Sequence, residues 1–391
     1  CKKEMSQTEN PGNGRPLSTF ATKVKADLFN ALFTRSAGGG WTGGDIAYSI
    51  KLPNNQVLWP MGDTFIDNVH APDGTHPTRY HTNAGLLSST IAVTSGVGTT
   101  APTWVSTLYK VSGGYPIPYF DAAGGGVRRW CKDGVYNSNT NKIYMAIYRN
   151  HQGPGGPLDI INDGTDWAEI NYDAPNYTVN QIQLRNTNSA IIYGSTVVRH
   201  VDSIYIFGAE TANGYVFMHI ARVPASNPMA AWQYYHGPTT GWNATATGSY
   251  RIKTAASKNL TGISTEYRVF RREGRFYLIA QQPAFLSPAI GRWRTAINAK
   301  ITGPYVDSVK LFDAPLPSGA LLNNGTWTTP APPDTTWTYS AKAYPEFKRA
   351  ASGADTADLL VSYNVNNMNL NKVIANADLY RPIFHWIKGW K

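Results

Sequence analysis

Short runs of β-branched and aromatic residues recur along the chain, separated by polar stretches rich in Gly, Pro and Asn. Such runs predict strands and their separators predict turns. The first pair spans Trp41 to Phe65. Residues 45–52 and 56–65 are strand-like, with Pro53-Asn54-Asn55 as the turn between them. A second pair runs Val127–Tyr136 and Lys142–Tyr148, and a third Ile191–Val198, Ile204–Glu210 and Tyr215–Val223. The fourth is Thr265–Phe270, Phe276–Ala280 and Trp293–Ile301; the fifth is Tyr339–Tyr344 and Leu359–Asn366. Five such units, spaced roughly 60–75 residues apart, predict an all-β chain folded as a five-bladed β-propeller. The tail Tyr380–Phe384 then closes the ring. A pair of β-sandwiches is the alternative. Residues 17–35 predict a short helix or strand at the domain edge; residues 66–84, 149–187 and 224–262 are loop-like.

The first hairpin also predicts a register. With Pro53-Asn54-Asn55 as the loop, Leu52 pairs with Gln56, and stepping outward brings Asp45 opposite Asp63. Side chains so paired have Cβ atoms roughly 4.5–5.5 Å apart. Two carboxyls at that distance cannot both ionise easily, so one is expected to have a raised pKa. Asp is disfavoured inside strands, which makes a purpose for the pair more credible than chance. The competing reading is a carboxylate at Asp63 that merely caps a turn.

Composition agrees with a strand-rich chain. The 391 residues are 12% aromatic and only 15% charged, with 36 Gly and 25 Pro. The formal net charge is +10, but the basic residues are scattered, with no run longer than a pair. That argues against a nucleic-acid stripe and for attraction to an anionic polymer or envelope surface. Two Cys, at positions 1 and 131, do not make a disulfide framework. No stretch approaches the roughly 18 apolar residues of a membrane span. Cys1-Lys-Lys-Glu followed by a polar segment looks like a bacterial lipoprotein after signal-peptide removal. The expectation is therefore a tether over 1–16, one catalytic propeller over 17–391, and an outer-membrane, cell-surface or periplasmic location. Membrane contact would come only through lipidated Cys1, and the protein is expected to be a monomer. His70, His76 and His81 fall in the 66–84 loop, but their irregular spacing and lack of a Cys or carboxylate cluster disfavour a metal.

Gly43-Gly44-Asp45-x-x-x-Ser49, Leu58-Trp59-x-x-Gly62-Asp63-Thr64, Gly194-Ser195 and Leu360-Val-Ser-Tyr363-Asn together resemble the bacterial endo-D-arabinanase family of propeller glycoside hydrolases, long filed as a domain of unknown function. The resemblance covers about residues 38–385; its sharp motifs lie in the first hairpin. It implies cleavage of D-arabinofuranosyl chains of mycobacterial arabinogalactan and lipoarabinomannan, with Asp45 and Asp63 as the catalytic pair.

Glycoside hydrolysis needs one carboxylic acid to protonate the leaving oxygen and one carboxylate to attack or to activate water. A cross-strand pair suits the close geometry of a retaining mechanism; which Asp plays which part stays open. Glu210, Glu266 and Glu346 also fall in strand-like contexts, and Glu266 is the first choice as a third carboxylate or sugar-hydroxyl acceptor. Arg79, His81, Trp130 and Tyr363 are candidate sugar contacts, since aromatic faces stack on sugar rings. No organic cofactor is expected, and a structural calcium on the propeller axis stays open. The alternatives are a related furanosidase acting on L-arabinan and a non-catalytic glycan-binding propeller at the cell surface.

Overall fold

The structure, a computed structural model, describes residues 21–34, 40–45, 47–82, 85–96, 102–155, 159–282, 288–315, 336–349, 358–367 and 369–391. The expected tether and Cys1 lie outside the described residues. Two helices, Asp27–Leu32 and Leu370–Ala375, each span six residues; every other regular element is a strand. The chain is all-β. No described helix is long and apolar enough to cross a membrane.

Five antiparallel sheets of four or five strands carry most of the described residues, in sequence order, beside three smaller sheets. The first is built from Ile50–Lys51, Gln56–Met61, Thr90–Ser95 and Thr103–Leu108. The second holds Arg128–Asn137, Lys142–Gln152, Ile160–Asn171 and Val179–Asn186. Residues 149–187 were expected to be mostly loop, and that expectation is corrected here. The polar residues of the stretch hide two strands: Ile160–Asn171 is paired on both sides and buried from Thr165 to Ile170, and Val179–Asn186 is bonded on one side only. The third sheet runs Ile191–His200, Ser203–Ala212, Tyr215–Pro224 and two short strands, Gln233–Tyr235 and Trp242–Asn243. The fourth runs Tyr267–Arg272, Arg275–Gln282, Ala289–Lys300 and Gly303–Asp313.

The fifth sheet takes strands from both ends of the chain. Thr336–Tyr344, Leu359–Asn367 and Pro382–Lys388 are joined by Thr22–Lys25, which pairs antiparallel with Pro382–Lys388 from Thr22↔Lys388 to Lys25↔His385.

Five apolar clusters fill the spaces between sheets. Phe207 and Met218 of the third sheet meet Tyr267 and Leu278 of the fourth. Tyr277 and Ile279 of the fourth meet Val361 of the fifth. Tyr344 and Trp386 of the fifth meet Trp59 of the first, with Phe29 and Phe33 inserted. Leu58 and Val93 of the first meet Cys131 and Met145 of the second, and Trp167 of the second meets Tyr193 and Ile204 of the third. Each sheet thus buries one face on the sheet before it and one on the sheet after it, and the fifth packs on the first. A sheet covered on both faces reads as near-continuous apolar strands, which is why Ile143–Ile147 shows no alternation.

Candidate active site

The first hairpin keeps the register expected from its loop but divides between two sheets. Lys51↔Val57 and Ile50↔Leu58 pair within the first sheet, and Leu52 N donates to Gln56 O at 2.9 Å. Gly44↔Thr64 and Gly43↔Phe65 pair in a separate three-stranded sheet with Leu86–Leu87. Asp45 and Asp63 sit at the break. Asp45 N donates to Asp63 O at 2.8 Å, and Gly62 N donates to Asp45 O at 2.9 Å. The two residues therefore face each other, though neither lies inside a strand as expected. Glycine is required just before the break: a Cβ on Gly43 would stand 2.6 Å from Tyr380 O.

Asp45 and Asp63 open into a cavity of ≈ 540 Å³. Phe65, Trp337, Val373 and Tyr380 form apolar walls; Arg128, Trp130, Asn366 and Asn367 bring polar groups. Arg128 lies over the Trp130 ring, 5.3 Å from its centroid. Its Nε and Nη2 are buried without a hydrogen-bond partner, as is Asp45 Oδ1. Buried donors and acceptors left open in this way are costly unless a ligand or water completes them.

The two carboxyls differ in surroundings. Burial pushes Asp45 up to about 7; the negative charges of Asp63 and Glu266 push the same way, against the Tyr339 hydroxyl and the Lys342 ammonium. Burial pushes Asp63 up to about 6, against the Arg128 guanidinium and the Trp130 indole N–H, which favour its ionised form. Burial raises both carboxyls, and Arg128 and Trp130 favour the ionised form of Asp63.

Beneath the pair is a layer of buried charge. Lys132 Nζ is 2.8 Å from Glu266 Oε1, and Thr265 Oγ1 donates to Glu266 Oε2 at 2.9 Å. Glu266 is depressed overall: burial acts to raise it, but Lys132 and Lys342 outweigh that. Lys342 lies 4.4 Å from the Tyr48 ring centroid, hydrogen-bonds Ser340, and is lowered to about 7 by burial. Further in, Arg268 Nη1 meets Asp133 Oδ2 at 2.6 Å, and Asp133 also accepts from Val197 N at 2.7 Å. A second cavity of ≈ 330 Å³, lined by Ser49, Arg268 and Glu346 among others, lies beyond this layer.

Some of these groups come from irregularities in the first strands of the second, third and fifth sheets. The register shifts between Cys131 and Gly134, between Tyr193 and Thr196, and between Tyr339 and Lys342. The shifts release Lys132 and Asp133, Ser195, and Ser340 from ladder pairing. Such bulges re-aim side chains.

Of the residues singled out from sequence, Asp45, Asp63 and Trp130 share the cavity, and Glu266 lies in the charged layer below. Arg79, His81 and Tyr363 do not line it. Arg79 is held by Asp378 at 2.7 Å. His81 is buried between Thr42 and Asp67 and packs on Phe65, and its desolvation lowers its pKa. Tyr363 stacks on His385 in the core and donates to Pro315 O at 2.6 Å. Among the described residues no group of three or more His, Cys, Asp or Glu is placed to hold a metal ion. Sequence reasoning missed Arg128, Lys132, Tyr339 and Lys342. A partial signal was present for Lys342, which stands between two alanines in a strand buried throughout.

A family profile described as Domain of unknown function (DUF5005) matches residues 26–390. The chain belongs to that family. No curated protein matches it. Among solved structures, this DUF5005 chain is similar to a candidate hydrolase from Bacteroides ovatus ATCC 8483, with TM-score 0.71 and 20% identity over 99% of this chain and 98% of that one. The two share a fold. An α-L-arabinofuranosidase from Podospora anserina, solved with cellotriose, aligns at TM-score 0.47 and 9% identity over 95% of this chain and 97% of that one. An endo-arabinase from Bacteroides thetaiotaomicron VPI-5482 aligns at TM-score 0.41 and 9% identity, covering 90% and 96%.

Proposed function

We propose that this protein is a five-bladed propeller glycoside hydrolase that cleaves arabinofuranosyl linkages, with D-arabinan as the first substrate to test. One observation carries the reading: two aspartates, bonded through their backbones, open into one cavity. The five inter-sheet clusters, the last closing on the first, support the propeller. The motifs of the first hairpin and a fold shared with a candidate hydrolase support the activity.

Asp45 is the general acid. It gives its proton to the glycosidic oxygen as the bond to the anomeric carbon breaks. Asp63 is the nucleophile: its carboxylate forms the bond to that carbon, leaving a glycosyl ester. Ionised Asp45 then takes a proton from water; the water oxygen attacks the anomeric carbon and Asp63 departs, with net retention. The backbone bonds that join Asp45 to Asp63 and to Gly62 hold the two residues close, which is the basis for choosing the retaining route. The open donors of Arg128 suit sugar hydroxyls, and the Trp337 and Tyr380 rings offer apolar faces to a furanose.

The test is product analysis after incubation with mycobacterial arabinogalactan, using wild type, Asp45→Asn and Asp63→Asn. A ladder of arabino-oligosaccharides from wild type alone establishes an endo-D-arabinanase that uses this pair. Release from L-arabinan but not D-arabinan moves the substrate to the second furanoside. Binding without release from any glycan, unchanged in both variants, overturns catalysis and leaves a glycan-binding propeller.

A further inference from the structure

A cavity of ≈ 740 Å³ lies between the third and fourth sheets. It opens at the end of the sheets remote from Asp45 and Asp63. Arg128, at the start of its strand, faces the carboxyl cavity, whereas Gly134 to Tyr136, late in that strand, line the second cavity together with Val198. Val198 pairs with Tyr205, which pairs with Arg222, and both of these line the large cavity.

Its walls combine aromatic faces with cations. Trp242 stands 5.9 Å from Tyr205 and 5.2 Å from Tyr235, centroid to centroid. The Arg222 guanidinium lies 4.3 Å from the Trp242 ring centroid, steadied by Nε donation to Gln233 Oε1 at 3.0 Å. Lys253 stands 5.3 Å from the Tyr250 ring, and Lys300 is exposed at the rim. Three basic side chains, Arg222, Lys253 and Lys300, and one acid, Asp202, line it, with Lys253 donating to Asn259 Oδ1.

We propose that this cavity is a second glycan site that holds an anionic, uronate-bearing oligosaccharide. Sugar C–H faces stack on tryptophan and tyrosine. A stacked guanidinium keeps its terminal nitrogens in one plane, the geometry that pairs two-pronged with a carboxylate. The volume is that of a small-ligand pocket, which encloses a few sugar rings. Single-stranded nucleic acid would also stack, but it needs a basic track along the backbone, and here the cations gather in one pocket. The chain's formal net charge of +10 draws a polyanion in. The site contains neither Asp45 nor Asp63, so it stands or falls apart from the glycosidase reading.

The experiment is calorimetric titration of the full chain, and of Asp45→Asn, with oligogalacturonides, neutral arabino-oligosaccharides and a single-stranded DNA oligomer. Oligogalacturonides are expected to bind both proteins alike and more weakly as salt rises. Arg222→Gln and Trp242→Ala should weaken binding at least tenfold, and the exposed-site change Lys300→Glu severalfold. Thermal melts check that each variant is folded; Lys300→Glu, at the surface, keeps the test decisive if Trp242→Ala does not fold. The proposal is overturned if oligogalacturonides do not bind at low salt, if neutral sugars bind equally well, if the DNA oligomer binds more tightly, or if folded variants bind as wild type does.

Discussion

Asp45 and Asp63 hold their protons to about pH 7 and about pH 6, far above the usual carboxylate range. For the proposed chemistry, Asp63 must be ionised and Asp45 protonated. The pH profile of kcat/KM on arabinan should therefore be a narrow bell centred between those values, its acidic limb reporting Asp63 and its alkaline limb Asp45. A flat profile from pH 5 to pH 8 would count against the pair as acid and nucleophile. The same shifts bear on stability. Unfolded Asp titrates near pH 3.9, so between about pH 4 and 7 the folded protein holds protons that the unfolded chain has released. Stability from this source is present at low pH and is lost as pH rises through the folded values. Asp45→Asn, which mimics the protonated acid, should gain on the order of 2 kcal/mol over wild type at pH 8 compared with pH 5. Urea unfolding at the two pH values measures it.

Strand bulges place part of the charged layer near the site. Gly194 lies in one of them with φ +103°, and a Cβ there would stand 2.6 Å from Ala146 Cβ and 2.8 Å from Lys132 Cβ. Gly194→Ala combines a disfavoured backbone with a clash and should cost roughly 2 kcal/mol or more in unfolding free energy. It should also lower activity, because it displaces Lys132. Lys132 spans from the second sheet to Glu266 at the head of the fourth. Lys132→Met leaves Glu266 buried without that charge and should destabilise by about 3–5 kcal/mol. Lys132→Met with Glu266→Leu should recover much of the loss, as denaturant titration of the single and double variants will show. If the single variant is as stable as wild type, the ion pair does not hold these two sheets in place.

At the scale of the whole molecule, the two chain ends meet in the fifth sheet. Phe33 lies within 5.5 Å of Trp41, 5.1 Å of Trp59 and 5.1 Å of Phe384, ring centre to ring centre. It therefore bridges the first sheet and the last. Phe33→Ala should cost about 3–5 kcal/mol. Removing Thr22–Lys25, mostly exposed and bound by strand pairing, should lower the melting temperature less. Thermal unfolding of both variants tests the order, and the reverse order would mean that strand pairing, not the aromatic cluster, secures the junction.

Much of this was legible from local signals. A turn residue that accepts positive φ, Asn55, set the hairpin loop, and the loop length set a register that the structure keeps at Leu52, Lys51 and Gly44. Apolar runs marked Lys142–Gln152 and Ile191–His200 because those strands are buried on both faces over much of their length. The strands Ile160–Asn171 and Val179–Asn186 were not legible, since pairing with neighbours, not side-chain pattern, makes them strands. Arg79, His81 and Tyr363 show the same limit from the other side. A polar or aromatic side chain carries no mark of whether it meets Asp378, Asp67 or the core. Sequence alone determined the facing of Asp45 and Asp63, because that follows from counting residues around one turn. Only the tertiary structure decided that Arg128, Tyr339 and Lys342 surround them. Those residues lie 65 or more positions away on other sheets, and they act against the burial that raises both carboxyls.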